Sequence, residues 1–375
     1  AHRKTLATLL SDENFNTRML ATIALGKAGN TDDIPALVSL LEENKNSDPY
    51  IRHGAVHGLE LIAKASGSVD SIVALQSHPS DAVRLGTVMV LRRLKHAGIA
   101  AFLTDKDPAI VIETIQAIND AYIEDARPAL AEATDWIGKS TPMIDYRIIN
   151  AIYRVGGPGN VQRALNIASD EQQSNNVRME ALFVLQRWEN PPAADHTTGK
   201  HRPLTGNRSL AKHRPEIAKT LDSLLKTSSG ELLAEVIRTT ESFGLGIAPD
   251  VLLSHFSNAK NATAIRLAAL ETLQKSKSPQ LRQALDQTLN DRDRDIRTRS
   301  FGALAGVDPA AAITQARKIL ASKKVFDQQQ AFAVLASVKH PDAASLILSS
   351  LQNLKAQPAA LQLDILEAAD QRTEP

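Results

Sequence analysis

Asp48-Pro49-Tyr50-Ile51-Arg52, followed by Val56, Leu59 and Ile62, is the stretch whose spacing decides the fold. With Ile51 as position zero, the apolar residues stand at positions five, eight and eleven, and at about 100° per residue these share one wedge of a helix. The pattern returns about every thirty residues. Val83, Val177, Ile265 and Ile296 take position zero, each with Arg next, and Val88, Leu182, Leu270 and Phe301 take position five. Ile110 opens another copy, and position eight reads Leu59, Leu91, Ile118, Leu185, Leu273 and Leu304. One such helix cannot bury its stripe alone. A second amphipathic stretch lies between copies, as in Ile34, Leu37, Leu40 and Leu41 or Ile217, Leu221, Leu224 and Leu225, so each unit reads as a helix pair stacked on its neighbours.

Asp48-Pro49 and Asp107-Pro108 place an N-cap acceptor before a proline at the first helical position, where its missing N–H costs nothing. Paired helices, the period and the recurring Asp-Pro then Ile/Val-Arg resemble HEAT repeats. The expectation is an all-α, HEAT-like α-solenoid of about eleven helical hairpins, right-handed, with one long loop insertion. Because a repeat array grows without separate cores, residues 1–375 are read as a single domain, with the insertion at 189–214 inside it.

The formal net charge of +1, from 43 basic and 42 acidic residues, supplies no global field to draw nucleic acid or an anionic membrane. No apolar run reaches the length of a membrane span, so partners are expected to be proteins, with no nucleic acid and no membrane insertion. The chain has no cysteine, which removes thiol nucleophiles, disulfides, Cys-ligated metals and covalent haem attachment. Phosphate-binding and nucleophile-elbow motifs are also missing from the sequence, and no catalytic, cofactor or metal residues are assigned.

Arg52, Arg84, Arg178, Arg266 and Arg297 sit one residue past position zero, within the apolar wedge, and read as a structural ladder between repeats rather than an anion rail. His53 and His57 with Glu60 have the crude spacing of a metal or base site, but no third His is placed nearby, and a solvated helix face is the reading adopted. The run Asp291-Arg292-Asp293-Arg294-Asp295 reads as a solvated loop and first turn. Positions two, six and nine face away from the core wedge. They carry Leu85, Met89, Arg92, Ile112, Met179 and Phe183 in the middle copies, a candidate partner-binding groove, because contiguous exposed Met, Leu and Phe are costly in solubility. The competing reading is that tight curvature, or the insertion folding back, covers these side chains within the chain.

The insertion runs from Trp188 to Pro215 with five Lys or Arg against two acids. Asp195-x-x-Thr198-Gly199 fits an Asx turn closing at Gly199, and Arg202-Pro203 an extended exit, so a clasp stapling neighbouring repeats is favoured over a ligand site. Trp188, Pro191, Asp195, Thr198, Gly199, Arg202, Pro203 and Leu204, set inside a HEAT array, resemble a motif of the haem-binding, membrane-bound-dehydrogenase-type proteins of planctomycetes and verrucomicrobia. Leu361-Gln362-Leu363-Asp364-Ile365-Leu366-Glu367-Ala368-Ala369 resembles the repeat that precedes their cytochrome domain.

The resemblance implies a secreted protein in which a sugar-dehydrogenase-like β-propeller precedes the repeats and a cytochrome c domain follows. Haem c is then expected only in that flanking domain, and the location is extracytoplasmic or periplasmic. This chain would be a segment excised from such a protein, or a relative lacking both flanks. The expected role is a non-catalytic scaffold joining the two modules. The alternatives are a freestanding protein- or peptide-binding solenoid and, from the enzyme class, a HEAT-like DNA glycosylase or bilin lyase.

Overall fold

The computed structural model describes residues 2–322 and 324–372, and these divide into two compact units, 1–217 and 218–375. Among the described residues every regular element is helical, and one isolated antiparallel bridge, Ala194 to His201, is the only β pairing. The second helices of the hairpins pack side by side in chain order within each unit. In the first unit they are α1 (Phe15–Ala28), α2 (Pro49–Ser66), α3 (Asp81–Leu94), α4 (Pro108–Asp120), α5 (Pro142–Val155) and α6 (Asn175–Gln186). In the second they are α7 (Gly230–Ser242), α8 (Thr263–Lys275), α9 (Arg294–Val307), α10 (Val325–Ser337) and α11 (Ala359–Asp370).

The wedge read from the sequence is the core. Ile51, Val83, Ile110, Val177, Ile265 and Ile296 are buried, as are the residues five and eight places on, and Ile34, Leu37, Leu40 and Leu41 of the preceding first helix are buried with them. Each such side chain contributes about 1.5–3 kcal/mol through burial, which is what holds a short helix that would fray alone. Asp48 Oδ1 accepts from the Tyr50 and Ile51 amides at 2.8 and 3.2 Å, and Asp107 caps α4 through the Ala109 amide at 2.9 Å.

Glycine sets the closest approach in the stack. A Cβ on Gly26 of α1 would lie 2.5 Å from Gly58 Cα of α2, and one on Gly58 would lie 2.8 Å from the Thr22 carbonyl oxygen. The two helices therefore touch backbone to backbone, which no larger residue permits.

Of the five arginines after position zero, Arg84 and Arg266 tie one repeat to the next, whereas Arg178 and Arg297 bond carbonyls of their own repeat and Arg52 reaches only Asn46, so the ladder expected of all five holds at two. Arg84 donates from Nε and Nη2 to Asp105 at 2.8 and 3.1 Å, and from Nη1 to the His78 and Pro79 carbonyls. Arg266 donates to both carboxylate oxygens of Asp291 and to the Phe256 carbonyl, and Arg178 donates to the Ala168 carbonyl. The partner acid recurs in an Asp-x-Asp arrangement. Asp105 and Asp291 take the arginine and also the amide two residues on, while Asp107 and Asp293 cap the following helix. The run at 291–295 thus differs from the solvated loop expected. The Arg266 bond, the largest influence, holds the Asp291 carboxyl below its ordinary range against the opposing effect of burial.

Candidate partner-binding face and insertion clasp

Residues 187–210 contain no helix and lie within the first unit, folded against α4, α5 and α6. Asp195 is the centre of this insertion and is 1% exposed. Its Oδ1 accepts from the Thr197 amide at 3.0 Å, the Thr197 hydroxyl at 2.7 Å and the Thr198 amide at 3.2 Å, which is the Asx turn. Gly199, at φ +69°, returns its amide to the Asp195 carbonyl at 2.7 Å, and Ala193 and Arg202 pair beside it. The turn demands a left-handed residue at that point, and glycine adopts it without strain.

The other face of the Asp195 carboxylate is ionic. Oδ2 lies 2.9 Å from Arg202 Nη1 and 3.3 Å from Arg154 Nη1 of α5, and Asn150 Nδ2 reaches both oxygens at 3.4 Å. Burial alone would push this carboxyl up, but the Thr197 bond, the Arg154 charge and the Asn150 amide bring it below its usual value. Arg154 moves down from the ordinary guanidinium range, first by burial and then by repulsion from Arg202.

Further contacts stitch the insertion to three repeats. Thr197 accepts from Asn119 of α4 and Asn150 of α5, both at 3.1 Å, and Thr198 pairs with the Tyr122 hydroxyl at 3.0 Å. The Arg202 guanidinium lies over the Tyr122 ring at 3.3 Å and also bonds Glu124. His196 bonds Glu180 and packs on Phe183 of α6, and Trp188 is buried edge-on to Tyr153 with the Arg208 guanidinium over both rings. Of the residues carrying the family resemblance, Trp188, Asp195, Thr198, Gly199 and Arg202 are bonded or packed into this clasp. Pro191 and Leu204 are half-buried beside it and Pro203 is exposed. The basic character read in the insertion is turned inward at Arg202 and Arg208.

The six candidate groove residues fall in two places. Phe183 meets His196 of the insertion and carries the Arg187 guanidinium at 3.6 Å, and Met179 is half-buried one turn earlier on α6. Leu85, Met89 and Ile112 are half-buried on α3 and α4, with Arg92 exposed. Between the two groups stands α5, whose outward positions hold Tyr146, Asn150 and Tyr153. Met89 and Arg92 belong to a cleft of about 340 Å³ that α2, α3 and α4 form, with Met89 as its accessible apolar part above the buried Val56, Arg52, His53 and Arg93 around it, and Glu113 on one side.

Beside the cleft His53 is exposed and His57 half-buried, but Glu60 is 8% exposed, unlike the solvated face expected for it. It accepts from Lys64 at 2.6 Å and Arg93 at 3.0 Å and lies 3.2 Å from His57 Nδ1, while Arg93 Nη2 lies 3.2 Å from His53 Nδ1. Burial opposes its ionisation, yet the bonds from Lys64, Arg93 and His57 lower its pKa to about 2. Among the described residues no group of three or more His, Cys, Asp or Glu gathers as a metal site. No helix among them is long and apolar enough to cross a membrane.

Residues 1–60 match the HEAT repeats family. A chain of the structure of Kap95p with RanGDP aligns over 98% of this chain and 56% of its own, at 11% identity and a TM-score of 0.57. A chain of Kap121p bound to Pho4p aligns over 98% and 49%, at 12% identity and a TM-score of 0.57. A chain of Kap121p bound to RanGTP gives 99% and 49%, at 12% and 0.54. The chain thus spans about half the length of these neighbours, and the likeness at such identity concerns the fold. No curated protein matches by sequence. Repeat spacing, paired helices and these neighbours together make this an all-α protein of the HEAT-type solenoid class.

Proposed function

We propose that the chain is a non-catalytic protein-binding scaffold, and that in its native setting it joins a sugar-dehydrogenase-like β-propeller to a cytochrome c domain in a secreted, extracytoplasmic redox protein. The observation carrying the second part is the insertion. Five of the residues that resemble the family motif serve one buried, Asp195-centred clasp, as a motif retained for a shared architecture would. Haem c would be held outside this chain, which has no cysteine to attach it. A repeat stack suits the role physically, since it holds two modules apart and offers them an extended face.

The scaffold reading is supported by the state of the acid-base cluster of His53, His57 and Glu60. Glu60 is engaged by Lys64, Arg93 and His57 and kept ionised down to about pH 2, so it is a poor proton acceptor at neutral pH. The fold neighbours are described in complexes with Ran and with Pho4p, which agrees with partner binding as the use of such a stack. A freestanding solenoid remains the second reading, favoured by the cleft at Met89 and Arg92. Immunoblotting the source cells against this chain, with peroxidase staining for haem, separates them. A haem-positive band far larger than 40.5 kDa is expected, and a haem-free band of that size would overturn the redox setting.

A further inference from the structure

We infer that the cleft between α2, α3 and α4 receives an acidic peptide segment of a partner protein, with its carboxylates on Arg52 and Arg92 and an adjacent apolar side chain on Met89. The inference rests on the scaffold reading above and assigns its ligand chemistry. Cations outnumber acids around the cleft: Arg52, Arg92, Arg93 and the neighbouring Lys64 face Glu60 and Glu113. Glu60 takes Lys64 and Arg93, and Glu113 takes Arg92 Nη1 at 2.9 Å. The Arg52 guanidinium has a single long contact, 3.5 Å from Nη1 to Asn46. Arg92 remains 44% exposed at the side chain, with donors left for an incoming group. A guanidinium presents a planar fork of donors that fits a carboxylate in two bonds, and such pairs are stronger when one side is already fixed.

The remaining lining selects among anions. A continuous phosphate backbone needs an uninterrupted cationic track, and Glu113 and Glu60 break this one. A small inorganic anion would leave the half-buried Met89 uncovered. A peptide in which acids alternate with leucine satisfies both halves of the lining, and about 340 Å³ accommodates a few side chains rather than a folded domain.

The probe is a fluorescein-labelled hexapeptide alternating acidic residues with leucine, titrated with the full chain and read by fluorescence anisotropy. Saturable binding is expected, weakened at least tenfold by Arg52→Glu and by Arg92→Gln, with helical content and melting temperature kept. Replacing leucine by serine in the peptide should weaken it at least threefold. Absence of binding, or binding indifferent to both arginine substitutions, overturns the inference. Equal affinity for the serine peptide with displacement by millimolar inorganic phosphate overturns it in favour of a small-anion site. Tighter arginine-dependent binding of a labelled single-stranded oligonucleotide overturns it in favour of nucleic acid. Native partners that co-purify equally with wild type and Arg52→Glu would discard this cleft and leave the scaffold reading standing, whereas a native protein with no partner would discard the scaffold reading itself.

Discussion

Replacing Asp195 by Asn removes one charge and almost no volume from the middle of the insertion, so it tests whether this side chain holds the clasp. The amide oxygen keeps the turn bonds from Thr197 and Thr198, but an NH2 group then faces Arg202 at 2.9 Å, Arg154 at 3.3 Å and Asn150 at 3.4 Å, all of them donors. Arg154 is 9% exposed and would be left as a buried cation with Glu124 as the other acid close by. Removing one partner from a buried pair costs about 3–5 kcal/mol, against about 0.2–1 kcal/mol for an exposed pair. Urea unfolding followed by Trp188 fluorescence in a Trp136→Phe background reports on this region, because Trp188 is buried under Arg208. The Asp195 carboxyl titrates lower in the folded chain than in the unfolded one, so its contribution is present above the unfolded pKa of about 4 and is lost as pH falls through the folded value. The difference between variant and wild type should therefore shrink in acid. A cost under about 1 kcal/mol at pH 7, or one that does not change with pH, would refute the buried-pair account.

Gly58→Ala puts a methyl group 2.8 Å from the Thr22 carbonyl and should destabilise the first hairpins by about 1–3 kcal/mol, seen as an early step in thermal unfolding by circular dichroism. Burial raises the Asp145 carboxyl above its ordinary value with only the Gly138 amide opposing, so the charge opposes folding at pH 7. Asp145→Asn keeps an acceptor for that amide and should raise the urea midpoint at pH 7 but not at pH 3, and equal effects at both would contradict the burial cause. Glu60→Gln should cost about 2 kcal/mol at pH 7, and because the folded pKa of about 2 lies below the unfolded one, the deficit should fade as pH drops from 5 toward 2. A deficit constant over that range would mean packing, not charge, is at work.

The hairpin stack was legible in the sequence because a repeat fold is specified locally: Ile51, Val56 and Leu59 mark their helix, and the same offsets mark the other copies. The α5 copy escaped the pattern. Ile144, Ile149 and Ile152 keep its core positions, but Asp145 stands where five other copies carry arginine. Tyr146, Asn150, Tyr153 and Arg154 went unread with it, although polar residues at outward positions of an otherwise Ile-rich helix were the available signal. The Asx turn at Asp195 follows from adjacent residues, whereas its partners Asn119, Tyr122, Glu124 and Asn150 lie 45–78 positions away from the residues they meet, beyond the reach of spacing arguments. Charge was misleading for the same reason. Arg202 and Arg208 look like surface cations in the sequence, and only their inward neighbours reveal them as internal.

The span of these bonds has a kinetic meaning. A hairpin stack closes short loops, each unit searching only for its neighbour, and such chains of low contact order fold fast. The bonds from Arg202 to Glu124 and from Asn119 to Thr197 each span 78 positions and enclose two repeats, those of α5 and α6, so these cannot complete their docking beside α4 before the insertion arrives. Refolding followed at Trp188 should then lag the recovery of helicity, with the helices formed first and the knot of arginines drawn tight last.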